Sequence, residues 1–132
     1  MVQIYEPIMG DINGRVTTVL LSGVRYLKDN RLLPEGFDKL TADKDCAVFG
    51  RAAEDDDFTA AGDRIIYQIP VGDGNGPFQV TAELWYQPIG FRWAQNLRDK
   101  DSEESRRFIN FYEAFAGASA KLLCRVKSKT DQ

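Results

Sequence analysis

The sequence predicts a mostly β protein, an antiparallel β-sandwich of jelly-roll type with one short helix near the C-terminus. Three observations predict it. Short stretches rich in β-branched and aromatic residues alternate side chains with period two, glycine-rich turns separate them, and only one late segment switches to helical spacing. A ferredoxin-like α+β layer would need a second long helix, and the periodicity predicts only one. The chain of 132 residues is expected to form a single domain, 1–132, excised from a longer polypeptide, because strand-like "VQIYEPIM" follows Met1 with no lead-in.

The elements follow in order. In "VQIYEPIM", Val2, Ile4 and Ile8 fall on one side and Tyr5 and Met9 on the other, as in a strand covered on both faces; Pro7 points to an edge or a bulge. "GDING" turns the chain. "RVTTVLLSGVRYL" is β-branched and broken at Gly23, with helix as the lesser alternative from Thr18 to Lys28. Residues 28–45 form a long irregular connection carrying Leu32, Leu33, Phe37 and Leu40, and "CAVFG" is a short strand. The clearest pair is "RIIYQIPV" and "FQVTAELWYQ", read as an antiparallel hairpin across "GDGNG". "SEESRRFINFYEAFAG" places Ile109, Tyr112, Phe115 and Ala116 at helical spacing, with Asp101 or Ser102 as cap, acids in the first turn and Gly117 as C-cap. "SAKLLCRVKSK" closes the chain with Leu122, Cys124 and Val126 on one face.

Composition excludes whole classes of chemistry. Hydrophobic content of 43% and charged content of 28% are those of a folded domain. A net charge of −3 and a pI near 5.0 offer no basic field for nucleic acid. No apolar run approaches the roughly 18 residues of a spanning helix. Histidine is absent, which removes Ser-His-Asp and Cys-His catalysis, His-ligated zinc and axial His ligation of haem. No CxxCH occurs, so this segment attaches no c-type haem. Cys46 and Cys124 cannot make a four-Cys zinc site; they read as two buried thiols first, and as a disulfide where the compartment is oxidising and their Cα atoms approach within about 7 Å.

Four places are candidate sites. "GDGNG" supplies only Asp73 and Asn75 as ligands, and "GDINGR" only Asp11 and Asn13, so both read as turns rather than calcium loops. "EDDD" holds Asp55, Asp56 and Asp57 with Asp63 nearby; a solvated charged loop is the first reading and a weak calcium site the second. "LWYQPIGFRWAQN" concentrates Trp85, Tyr86, Phe91 and Trp93. Alternation puts Trp85 outward with Glu83 and Tyr86 inward with Leu84, leaving Trp85, Trp93, Glu83 and Arg92 as candidate ligand-binding residues, for instance against a sugar ring. Glycoside hydrolysis would require a second acid opposite Glu83, and none is positioned by the pattern.

Five phrases carry a family resemblance: "VQIYEPIMGD", "VTTVLLSGVRYLKDNRLLPEGFDK", "GDRIIY", "GPFQVTAELWYQPIGFRWAQNL" and "FYEAFAGASAKLL". Together they resemble the C-terminal, haem-free region of large bacterial multihaem c-type cytochromes and related exported proteins. The resemblance implies export to the periplasm or cell surface and an electron-carrying parent whose haem lies outside this segment. It also favours the Cys46–Cys124 disulfide. The expected role is therefore non-catalytic, with no cofactor in this segment: docking against the rest of the parent polypeptide or another protein. The alternative is a carbohydrate-binding module.

Overall fold

The computed structural model describes residues 2–130, and their contacts divide the chain into two compact units, Met1–Gln68 and Ile69–Gln132.

The first unit is built on a three-stranded antiparallel sheet of order β2-β1-β3, comprising β1 (Pro7–Gly10), β2 (Val16–Thr17) and β3 (Arg25–Asp29). Proline opens the central strand, where a missing N–H is tolerated. The β1–β2 turn forms because Asp11 serves as its own template. Its Oδ1 accepts from the backbone of Asn13 and Arg15 at 2.8 and 2.9 Å, and Gly14 takes the left-handed φ of 76° that the reversal requires. "GDING" is thus a turn, as its residues predict. Between β2 and β3 the alternatives of strand and helix both give way to a 3₁₀ turn at Leu20–Ser22. The β1–β3 register slips between Ile8 and Met9, and the Leu27 side chain lies over Gly10, where a Cβ would come within 2.8 Å of it.

Residues 2–6 lie outside the ladder, contrary to the longer strand read from their alternation. Side chains of β3 and its exit hold this segment instead. Buried Asn30 accepts from Glu6 N at 3.0 Å and donates to Ile4 O at 3.2 Å, while Lys28 Nζ donates to the same carbonyl at 2.8 Å. "CAVFG" contributes one bridge rather than a strand. Asp29 and Phe49 exchange backbone bonds of 3.0 and 3.1 Å, and the Phe49 ring sits 5.8 Å from that of Tyr26. Asp29 is buried but satisfied, since Arg31 reaches it through Nε at 2.9 Å and Nη2 at 2.5 Å.

The second unit holds an antiparallel ribbon and two helices. β4 (Gln79–Tyr86) pairs with β5 (Lys121–Lys129) over eight residue pairs, and α1 (Phe91–Arg98) and α2 (Glu103–Ser119) lie between them in sequence. The predicted hairpin of "RIIYQIPV" with "FQVTAELWYQ" does not form; β4 takes β5 as its partner and residues 64–71 belong to no strand. The reason is that alternation specifies a strand, not its mate. β5 offers β4 the apolar pairs Ala82↔Val126 and Leu84↔Cys124, and the Thr130 hydroxyl accepts from Phe78 N at 2.9 Å to close the end.

The helical content also exceeds the expected single short helix. α2 runs 17 residues, starting where predicted: Ser102 Oγ accepts from Ser105 N at 3.1 Å, with Glu103 and Glu104 in the first turn. It passes through Gly117 and stops at Ser119, so Gly117 is not the C-cap. α1 occupies part of the aromatic stretch, where the periodicity predicts no helix. Its Arg98 pairs with Glu113 of α2 at 2.9 Å, and Ala94 is buried. Antiparallel strands in two sheets are therefore present as expected, in company with two α-helices among the described residues. Only Val48, Phe58 and Ala94 are buried hydrophobic residues there.

Candidate functional site

The ribbon carries the residues singled out from the sequence. Directly opposed residues of an antiparallel pair share a face. Val80, Ala82, Leu84, Cys124 and Val126 thus line one face, and Thr81, Glu83, Arg125 and Lys127 the other. Glu83 is held at both oxygens: Oε1 accepts from Arg125 Nε at 2.7 Å and Oε2 from the Trp85 indole N–H at 2.8 Å. The Trp85 hydrogen bond, with the Arg125 guanidinium behind it, holds the Glu83 carboxyl below the usual carboxylate range. A carboxyl kept ionised in this way lacks the raised pKa of a general acid.

Trp85 faces outward with Glu83, as alternation predicts, and is 49% exposed; Tyr86 is exposed too, not turned inward. Trp93 and Arg92 sit in the first turn of α1, and Trp93 is 38% exposed. Trp85 and Trp93 make no ring–ring contact among the described residues, so the structure joins Trp85 to Glu83 but not to Trp93. The residue that sequence reasoning missed is Arg125, which lies 42 positions from Glu83 and is brought opposite it only by the β4–β5 register.

The acidic loop is assembled by a tight reversal. Thr59 and Gly62 exchange backbone bonds of 2.8 and 3.0 Å, which folds Asp63 back toward the preceding acids. One carboxylate oxygen each from Asp55, Asp57 and Asp63 then lies within 4.8 Å of the others; Asp56 is not among them. Part of this geometry satisfies backbone: Asp55 accepts from Asp57 N and Asp57 from Arg64 N, both at 3.2 Å. Asp63 is anchored by the Tyr5 hydroxyl, which donates to its Oδ2 at 2.7 Å. Burial, then this hydrogen bond and the nearby Asp63 charge, push the Tyr5 phenol well above its ordinary pKa, so it remains a donor. Three hard oxygens at this spacing are of the type that ligates Ca²⁺ or Mg²⁺.

Asp55 and Asp63 also line an open pocket of about 540 Å³, together with Arg51, Arg64, Asn30 and Phe58. A second pocket of about 550 Å³ is walled by Met9, Val24, Tyr26 and Phe49, with Arg25 and Lys44 at its polar side. Neither was legible beforehand, because the lining residues come from segments up to 63 positions apart. The thiols of Cys46 and Cys124 are both free and exposed, contrary to the burial expected of them. Cys46 Sγ contacts its own turn at Asp43 O, 3.4 Å away, which is local geometry rather than a cross-link.

No helix among the described residues is long and apolar enough to cross a membrane. Comparison with protein-family models, with curated proteins and with solved structures finds no match to this chain.

Proposed function

We propose that this chain is a non-catalytic accessory domain that docks, through exposed apolar side chains, on the remainder of an exported, multihaem cytochrome-like electron carrier. The observation that carries the proposal is the 3₁₀ turn between β2 and β3, where Leu20 is 70% and Leu21 100% exposed and Val16, Val19 and Val24 flank them. Two adjacent leucines largely in water, amid further apolar neighbours, are the pattern of an interaction site.

Docking also supplies the layer that a closed β-sandwich of jelly-roll type requires, since both sheets leave apolar side chains exposed. Under this reading the protein works in the periplasm or at the cell surface and holds no haem itself. The test titrates the isolated 132-residue chain with the haem-bearing remainder of the encoded polypeptide. Saturable binding, weakened about tenfold by Leu21→Ser at unchanged fold, supports the docking role. An encoded polypeptide without haem-attachment motifs, or binding indifferent to Leu21→Ser, removes it.

A second reading is favoured by one observation: Trp85 is half exposed, yet its ring is pinned by Glu83 and, through it, Arg125. A fixed aromatic plate beside charged hydrogen-bonding groups suits a pyranose face. Tryptophan fluorescence against soluble glycans, with and without calcium, tests this. A saturable shift lost in Trp85→Ala would replace docking by glycan binding.

A further inference from the structure

We infer that the outer edge of β4 is a self-association surface whose partner is β4 of a second copy of this chain, paired antiparallel about a two-fold axis at Ala82. Among the described residues the ribbon has only two strands, so each strand presents one edge with no strand partner, and two-stranded ribbons are marginal in water. The two edges differ in kind. β5 carries Lys121, Arg125, Lys127 and Lys129 without a single acid, and a flush β5–β5 pairing sets Arg125 against its own copy and Lys121 against Lys129. β4, "QVTAELWY", bears one charge, Glu83, already neutralised by Arg125. Lysines on one edge and none on the other leave β4 open and β5 guarded.

Register follows from face continuity and charge. A two-fold axis normal to the sheet keeps apolar residues on one face only when a residue pairs with its own counterpart. Centring on Glu83 would oppose two carboxylates. Centring on Ala82 opposes Val80 to Leu84 and Thr81 to Glu83, with no like charges in line. The apolar faces of Val80, Ala82 and Leu84 then merge into a four-stranded sheet of order β5-β4-β4-β5. Because both outer edges of that sheet are the lysine-bearing β5 strands, addition stops at two copies rather than growing into a fibre. The register slip between Leu84 and Trp85 ends the pairing before Tyr86. This interface is independent of the Leu20–Leu21 docking surface, which lies in the other unit.

The test is sedimentation velocity over a concentration series, with charge-swapped variants at the axis. Wild type is expected to dimerise with concentration. Ala82→Lys and Ala82→Glu each face their own like charge across the axis, and each is expected to weaken the dimer roughly tenfold. Mixing the two restores it. In the dimer, hydrogen exchange protects consecutive amides from Val80 to Leu84, whereas a lone ribbon protects alternate ones. A wild type monomeric at every concentration overturns the proposal. So does a dimer indifferent to both substitutions, or one that mixing fails to rescue.

Discussion

Replacing Asn30 by alanine would release residues 4–6 from β3, and the structure sets the size of the effect. The buried Asn30 side chain makes two bonds, accepting from Glu6 N at 3.0 Å and donating to Ile4 O at 3.2 Å. The two losses are unequal, because Ile4 O keeps Lys28 Nζ at 2.8 Å whereas Glu6 N loses this acceptor. Allowing about 1 kcal/mol for each bond, with the carbonyl's loss softened and the amide's deepened by burial, gives roughly 2 kcal/mol. Hydrogen exchange read on peptides covering residues 4–10 should therefore accelerate about 30-fold under conditions where the opening equilibrium sets the exchange rate. Tryptophan fluorescence provides an internal control, since both tryptophans lie in the second unit. The double variant Asn30→Ala with Lys28→Ala strips both donors from Ile4 O, so its cost should exceed the sum of the single ones. Exchange at 4–10 changed by less than threefold, or strictly additive costs, would refute the claim that these side chains replace a strand ladder.

Three further outcomes follow from individual residues. Gly50 has a φ of 77°, and a Cβ there would lie 3.2 Å from Leu27 O, so Gly50→Ala should cost about 1–2 kcal/mol in thermal or urea melts; an unchanged midpoint contradicts the strained geometry. Tyr5 has a raised folded pKa, so its contribution is complete below the unfolded value of about 10 and is lost as pH rises through the folded value. Tyr5→Phe should erase the latest component of the 295 nm phenolate titration and leave Asp63 without its donor. Glu83 has a lowered pKa, so its link to Trp85 persists above the unfolded value of about 4.3 and is lost as pH falls through the folded value. Trp85 emission should change in that acid window, and Glu83→Gln should abolish the change.

The legible parts of the fold share one property: their causes lie within a few residues. Asp11 with Gly14 makes its turn from side chain to neighbouring backbone, and Ser102 caps α2 three residues ahead. Alternation in 79–86 and 121–129 specifies extended chain and which side chains share a face, so Trp85 was correctly placed with Glu83. α1 was missed because its aromatic run, FRWAQNLR, carries no side-chain N-cap at Gly90 to announce a helix.

What the sequence could not determine by itself was who meets whom. "RIIYQIPV" alternates as well as β4 does, yet it belongs to no strand while β5 pairs with β4 from some forty positions away. Asp63 joins Asp55 and Asp57, not Asp56, only through the Thr59–Gly62 reversal, and Tyr5 reaches Asp63 across 58 positions. Secondary structure is written in local sterics and hydrogen bonding, which a short window of sequence contains. Pairing is decided by the competition among all surfaces of matching periodicity, and that competition is resolved only when the whole chain has folded.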